Sequence, residues 1–121
     1  MSANILGSTD ESILGTIKKL LGGAAETSNH FDTDIIIHIN STFAILNQIG
    51  IGPSEGFKIH DDETSWKDFI NDEKKFEDVK TFIYLKVKLI FDPPTNSSVL
   101  KSMKELISEI EWRLNLDAET E

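Results

Sequence analysis

The chain has 121 residues, of which 39% are hydrophobic, and its 21 acidic and 12 basic residues give a formal net charge of −9. This length suits a single compact domain, and the lack of cysteine excludes both a disulfide framework and a thiolate site. No basic cluster overrides the acidic balance, which disfavours nucleic-acid binding, and no apolar run approaches the roughly 20 residues of a membrane-spanning helix. We therefore expect a soluble protein without a membrane partner.

The first predicted element is a helix over residues 9–21. Residues 1–7 show no periodicity, and we expect them to be loose. Ser8 and Glu11 fit a capping box in front of apolar residues that recur at helical spacing. A pair of glycines ends this helix, and residues 24–30 form a polar connection without a strand signal.

The second predicted helix begins at Asp32, whose side chain can cap it, with Phe31 just before it. A wide apolar stripe then continues to about Gln48 and consists of Ile35, Ile39, Phe43 and Leu46, with Ile36, Ile45 and Ile49 beside them. The β-branched run 35–37 would also suit a strand. We favour a helix because the stripe continues past this run without a turn signal.

Residues 50–63 are predicted to form one long irregular loop, because glycines and a proline interrupt the pattern. Three carboxylates close the loop, but they lack the alternating ligands and the glycine of a calcium loop, so a solvated acidic turn is the better interpretation. The loop is too long for a simple helix connection, and we expect it to reach outside the core. The residues that we assign to this external contact are Ile51, Pro53, Glu55, Phe57, Asp61, Asp62 and Glu63.

A short helix carrying Trp66 and capped by Thr64 or Ser65 precedes the predicted central helix, residues 76–91. The segment FEDVKTFIYLKVKLIF is apolar around most of its circumference, which is typical of a helix contacted on several sides. Two prolines end it. We therefore predict an all-α fold, a single compact domain of about five helices around this central helix.

The last predicted helix begins at Asn96 or Ser97 and ends in an acidic tail, residues 115–121. Its a/d-like apolar pattern comprises Val99, Leu100, Met103, Leu106, Ile107, Ile110 and Leu114. Trp112 falls off this stripe. An exposed tryptophan followed by an arginine and a leucine is a combination that anchors interfaces, although burial at the edge of its own core is an equally good interpretation.

No motif indicates catalysis, a metal or a cofactor. The three histidines, His30, His38 and His60, are not spaced to share a zinc ion, and no serine has a histidine base in a recognisable motif. The glycines of the long loop match neither phosphate-binding fingerprint. We expect no catalytic, metal-binding or cofactor-binding residue, and a protein that is not an enzyme.

Three segments together resemble a known family. FDTDIIIHINSTFAILNQIGIGP, a short W-x-x-F-I helix and VKTFIYLKVKLIFDPPTNSSVLKSMKELISEIEWRLN look like the head-to-tail connector, or adaptor, proteins of tailed bacteriophages of Gram-positive hosts. The resemblance implies a helical subunit that assembles as a homo-oligomeric ring, a dodecamer, beneath the phage portal protein. Such a ring extends the DNA channel and docks a tail-side connector or stopper protein.

The resemblance also implies a location and roles for exposed residues. The protein would belong to the virion, at the head-tail interface, after assembly in the bacterial cytoplasm, and DNA would pass its acidic channel without sequence-specific binding. The loop residues named above would contact a ring neighbour or line the channel. Family members commonly contact the portal through the C-terminal segment, which assigns docking to Trp112, Arg113, Leu116, Asp117, Glu119 and Glu121.

Two other classes of function remain open at this point. One is a small acidic regulatory binding module, a DNA mimic or an antitoxin-like inhibitor, whose carboxylates imitate phosphate groups. The other is an enzyme of unknown type. A mimic works as a monomer or dimer, whereas a connector forms a closed ring, so the oligomeric state distinguishes the mimic hypothesis from the connector hypothesis.

Overall fold

The computed structural model describes residues 8–119, which are mostly helical. In chain order the helices are α1 (Ile13–Leu21), α2 (Gly23–Thr27), α3 (Asp32–Ile49), a 3₁₀ turn (Trp66–Asp68), α4 (Glu73–Phe91) and α5 (Ser97–Glu119). Within this part of the chain no strand forms, and a single antiparallel bridge joins Ser12 to Ser65. The all-α prediction is confirmed.

Helix α4 is contacted by α1, α3 and α5. It begins before residue 76 because Asp72 caps it, accepting a hydrogen bond from the backbone N–H of Lys74 at 2.9 Å. Its buried apolar residues occupy several sides of the helix and are Phe76, Val79, Phe82, Ile83, Leu85 and Val87. Ile90, by contrast, is 60% exposed although it continues the predicted apolar spacing.

Helix α3 confirms the predicted stripe, since Ile35, Ile39, Phe43 and Leu46 are all essentially inaccessible to solvent. The run 35–37 is helical, which excludes the strand interpretation. Asp32 is the first helical residue and does not cap the helix. Its carboxylate instead forms an ion pair with Lys18 of α1, with the two atoms 2.8 Å apart.

The start predicted for the first helix is wrong, because α1 is capped by Ser12 and not by Ser8. The Oγ of Ser12 accepts a hydrogen bond from the backbone N–H of Gly15 at 2.9 Å. The residues before Ser12 form hydrogen bonds with a distant segment instead of joining the helix: the carbonyl of Thr9 accepts a hydrogen bond from the backbone N–H of Lys67 at 2.8 Å. Pairing with the segment around the 3₁₀ turn therefore holds this stretch outside the helix.

The polar connection predicted for residues 24–30 contains the short helix α2. Ala25 points inward and is 3% exposed, so burial of one small side chain orders this turn. Gly22, at a φ of 71°, separates α1 from α2. A positive φ favours glycine because it lacks a Cβ, which explains why the chain changes direction here.

Trp66 joins α1 to α4 in the centre of the core. It is fully buried, and its Nε1 donates a hydrogen bond to the Oγ1 of Thr16 at 3.0 Å. Its ring meets that of Phe76 edge to face, with the ring centroids 5.5 Å apart. Of the two predicted caps, Thr64 and Ser65, it is Ser65 that caps this turn, and its backbone N–H donates to the carboxylate of Asp68 at 3.0 Å.

Candidate assembly surfaces

The long loop between α3 and the 3₁₀ turn is part of the core. Ile51 and Ile59 are 2% and 0% exposed. The ring of Phe57 packs on those of Phe43 and Phe69, with centroid distances of 5.0 and 5.1 Å. The prediction that Ile51 and Phe57 contact something outside the subunit is therefore wrong. Both side chains pack in the subunit's own core, because burial of an apolar side chain is favourable even when it belongs to an irregular loop.

Two contacts fix the path of this loop. The side-chain amide of Asn40 on α3 donates to the carbonyl of Ile59 at 3.0 Å and accepts from its N–H at 2.8 Å, so it satisfies both backbone groups of a buried residue. Gly52, at a φ of 89°, lies against the ring of Phe69. A Cβ at this position would be 2.3 Å from the Cε1 of Phe69, so only glycine fits.

The polar residues of the loop remain on its surface. Glu55 is exposed, and so are Asp61, Asp62 and Glu63, which we call the acidic turn. The Oδ1 of Asp61 accepts a hydrogen bond from the N–H of Glu63 at 3.0 Å, which closes the turn on itself. These three carboxylates form no ion pair with the described part of the chain. Pro53 is half-buried and accepts a hydrogen bond from Asn47 at 3.1 Å.

The outer side of α5 carries an exposed aromatic residue near its end. Trp112 is 63% exposed and Leu116 is 41% exposed. They are four residues apart and so lie on the same side of the helix. A shallow depression of about 300 Å³ beside Trp112 is lined by Ser108, Glu111 and Asn115. As the sequence predicts, Trp112 faces away from the buried stripe to which Leu114 belongs.

Arg113, also assigned to docking, faces α4. Its Nη2 is 3.1 Å from Oδ1 of Asp78, and its Nη1 is 3.0 Å from Oε2 of Glu109. The hydrogen bond to Asp78, and then the charge of that carboxylate, raise the pKa of Arg113 above its ordinary value. Arg113 therefore links α5 to α4 through its ion pair with Asp78, and it helps to fix the position of the helix segment that carries Trp112.

The remaining residues of the predicted docking segment divide between surface and core. Helix α5 continues to Glu119, so most of the predicted acidic tail is helical. Glu119 is exposed, whereas Asp117 is half-buried and Ala118 packs against the core. Glu121 lies outside the described residues.

The first half of α5 departs from the predicted burial. Only the later part of the a/d-like stripe, Ile107, Ile110 and Leu114, is buried. Val99 is 49% exposed and Leu106 is 40% exposed, with Met103 half-buried between them. We call Val99, Met103 and Leu106 the open face. An apolar pattern predicts which side of a helix avoids water, but it does not tell whether the covering group belongs to the same chain.

Comparison with known proteins identifies the family. A family model described as phage connector protein matches residues 13–121, which include all the helices named above. The chain belongs to the phage connector protein family. No curated protein and no solved structure gives a match to it.

Membership makes this connector a structural protein of the virion, since the family is structural and not enzymatic. Among its described residues, no three ligating side chains converge to hold a metal ion. None of the described helices is long and apolar enough to cross a membrane. The exposed features described above are the acidic turn, the outer side of α5 around Trp112, and the open face.

Proposed function

We propose that this connector assembles as a homo-oligomeric ring, a dodecamer, beneath the portal protein of a tailed phage of a Gram-positive host. In this position it extends the DNA channel and docks the next tail-side connector or stopper protein. The family match over residues 13–121 carries the proposal, because it covers nearly the whole chain. The exposed apolar groups on α5 support it, because an assembly protein needs such surfaces for its partners.

Trp112 and Leu116 are proposed to anchor the portal. Both expose apolar surface on the outer side of α5, and the charges of Asp117, Glu119 and Glu121 follow them. Arg113 contributes by fixing the direction of the helix through Asp78. A buried aromatic anchor is worth about 2 kcal/mol or more, which corresponds to about a thirtyfold change in affinity.

The acidity of the chain is proposed to keep the DNA channel free of bound DNA. Each subunit has a net charge of −9, and Glu55 and the acidic turn are exposed. A negatively charged lining gains nothing from counterion release, so DNA passes without sequence-specific binding. A DNA mimic would use the same acidity as a monomer or dimer, so closure into a ring separates the two functions.

The docking assignment is tested by capturing portal assemblies on the immobilised connector. Trp112→Ala should weaken capture about thirtyfold while leaving the far-ultraviolet circular dichroism spectrum unchanged. Ile37→Ala is the matched control, because Ile37 is another largely exposed apolar residue, at 55%, and lies on α3. Capture of Trp112→Ala at the wild-type level would refute docking through this side of α5.

A further inference from the structure

The apolar stripe of α5 is covered only in its second half. Ile110 is 1% exposed, whereas Val99 and Leu106 of the open face are 49% and 40% exposed although they lie on the same side of the helix. A groove of about 300 Å³ along the open face is lined by residues of α5 alone, which are Ser98, Val99, Ser102, Met103 and Leu106. A partner helix that lay on the open face would therefore continue the subunit's own core.

The open face carries no charged side chain. The charged residues of this half of α5 are Lys101, Lys104 and Glu105, and at about 100° per residue they lie roughly 130–170° away from the centre of the open face. They line a separate groove on the other side of the helix. A partner that placed a charge against the open face would lose the hydration of that charge without gaining a counter-ion. The open face therefore favours an uncharged partner surface.

Helix α3 presents a second uncharged surface. Residues 35–49 contain no Asp, Glu, Lys or Arg, and the only titratable side chain among them is the half-buried His38. The side of α3 opposite its buried stripe consists of Ile37, Ser41, Ala44 and Gln48, all of which are exposed. We call these four residues the α3 face. Depletion of charged residues on an exposed surface is typical of the centre of a protein interface.

The other exposed sides of the long helices are charged. Helix α4 exposes Glu73, Lys74 and Glu77, and the outer side of α5 exposes Lys101, Lys104, Glu105 and Glu111. The loop that follows α3 exposes Glu55 and the acidic turn. Among the described surfaces of this chain, the open face is therefore matched in chemical character by the α3 face.

We propose that the open face of one copy of this chain packs on the α3 face of the next copy. The inference rests on the proposed ring and names the contact that builds it. The residues of the α3 face follow one another at intervals of four, three and four positions, and the stripe 99, 103, 106 and 110 has the same intervals. These are the intervals at which two helices pack side by side along a common seam.

The two faces also complement each other in the size of their side chains. The open face presents the large side chains of Val99, Met103 and Leu106. The α3 face has the small Ser41 and Ala44 at its centre. Large side chains set against small ones allow two helices to approach closely. The contact then removes apolar surface from water on both copies and buries no charge.

The two faces belong to different helices, so the contact between copies is heterologous. Each subunit offers one open face and one α3 face, and a contact with one neighbour leaves the other face free for the next. Such contacts continue from subunit to subunit until they close into a ring. A two-fold dimer, in contrast, would pair each open face with another open face.

Disulfide cross-linking tests this contact, because the chain contains no cysteine. Ser102→Cys lies on the open face, Ser41→Cys and Ala44→Cys lie on the α3 face, and all three changes replace an exposed small side chain. Oxidation of Ser102→Cys mixed with either α3 variant should give a covalent pair, and a variant with both cysteines should give a ladder beyond the dimer. The control is Ser108→Cys on the outer side of α5, which should not link to either α3 variant. Self-linking of Ser102→Cys alone, or no link to either α3 variant, would overturn the proposal.

Insertion of charge gives an independent measurement by sedimentation. Ala44→Glu and Leu106→Lys should each lower the association constant at least tenfold, whereas Ser108→Lys should leave it unchanged. A mixture of Ala44→Glu with Leu106→Lys should associate better than either alone, because the new charges meet at one contact and the unchanged faces meet at the next. A mixture that associates no better than its components would contradict a heterologous contact.

Two truncations separate this contact from portal docking. Ile37→Ala should lower association between subunits roughly fivefold and leave portal capture by immobilised subunits unchanged, whereas Trp112→Ala should do the reverse. Circular dichroism checks that both variants keep their helices. Rings that form normally with every variant of the two faces would refute this contact and leave the ring function intact. A wild-type protein that forms no ring, alone or with the portal, would refute both.

Discussion

Replacing Asn40 by alanine should destabilise the subunit strongly, although Asn40 is a polar residue outside the apolar stripe of α3. Its amide makes two hydrogen bonds to Ile59, at 2.8 and 3.0 Å. Ile59 is fully buried, so water cannot replace the lost partner. Each buried hydrogen bond contributes about 1 kcal/mol, and a buried group left unpaired costs about 1–3 kcal/mol. The expected loss in the free energy of unfolding is about 2–3 kcal/mol.

Urea unfolding followed by circular dichroism measures this loss directly. For a chain of this length, about 2–3 kcal/mol corresponds to a fall in Tm of roughly 8–12 °C. Asn40→Asp should be destabilised as well, because a carboxylate accepts from the N–H of Ile59 but cannot donate to its carbonyl. Asn47→Ala is the matched control. Its amide also bonds loop carbonyls, at 3.1 and 3.3 Å, but at a more exposed place, so the expected loss is below about 1 kcal/mol.

The refuting result is equally clear. An Asn40→Ala protein whose unfolding free energy stays within about 0.5 kcal/mol of wild type would mean that the loop is not held as part of the core. In that case the loop would be free to move, and the acidic turn that follows Ile59 would not be held in one position.

Three further changes are predicted to affect stability, and chemical unfolding measures each of them. Leu114→Ala should cost about 2–5 kcal/mol, because Leu114 is fully buried between α5 and the core. Gly52→Ala should cost more than Gly56→Ala, because both glycines have a positive φ but only at Gly52 would the new Cβ meet a neighbour, the ring of Phe69 at 2.3 Å; equal losses would contradict the close packing. Trp112→Ala should change the free energy of unfolding by less than about 0.5 kcal/mol, since Trp112 is mostly exposed.

The long helices could be predicted from the sequence because each has a strong local signal. In α3 the spacing of Ile35, Ile39, Phe43 and Leu46 places all four on one side, and all four are buried. Local capping contributes too: Asp72 caps α4, and the Oδ1 of Asn96, one of the two residues at which the last helix was predicted to begin, accepts a hydrogen bond from the backbone N–H of Ser98 at 2.8 Å. Apolar periodicity and capping act within a few residues, so they can be read without knowing the fold.

The start of α1 depends on a partner distant in sequence. Ser8 and Ser12 are both suitable caps, and the sequence alone favours Ser8 because Glu11 completes a capping box. The backbone of Thr9 instead bonds to Lys67, and that pairing exists only after the 3₁₀ turn has packed against α1. Local rules cannot rank two caps when a tertiary contact decides between them.

Burial was predicted wrongly in two places: the long loop is more buried than its sequence suggests, and the first half of α5 is more exposed. Ile51 and Phe57 are apolar residues in an irregular loop that the core takes up, whereas Val99 and Leu106 belong to a regular stripe that the core leaves exposed. The spacing of apolar residues predicts which side of a helix a side chain lies on, but it does not predict whether another part of the fold extends far enough to cover that side chain. The phase of Trp112 on the helix places it off the buried stripe, but the sequence left exposure and burial at the edge of the core equally open, and the structure shows Trp112 to be 63% exposed.

The central claim, that this connector forms a ring under the portal, is tested most directly by electron microscopy of the protein together with portal assemblies. We expect a closed ring of additional density on one face of the portal, coaxial with its channel, that is absent when the connector is omitted. A connector that remains a monomer or dimer and adds no density to the portal would contradict the claim and favour a small acidic binding module instead.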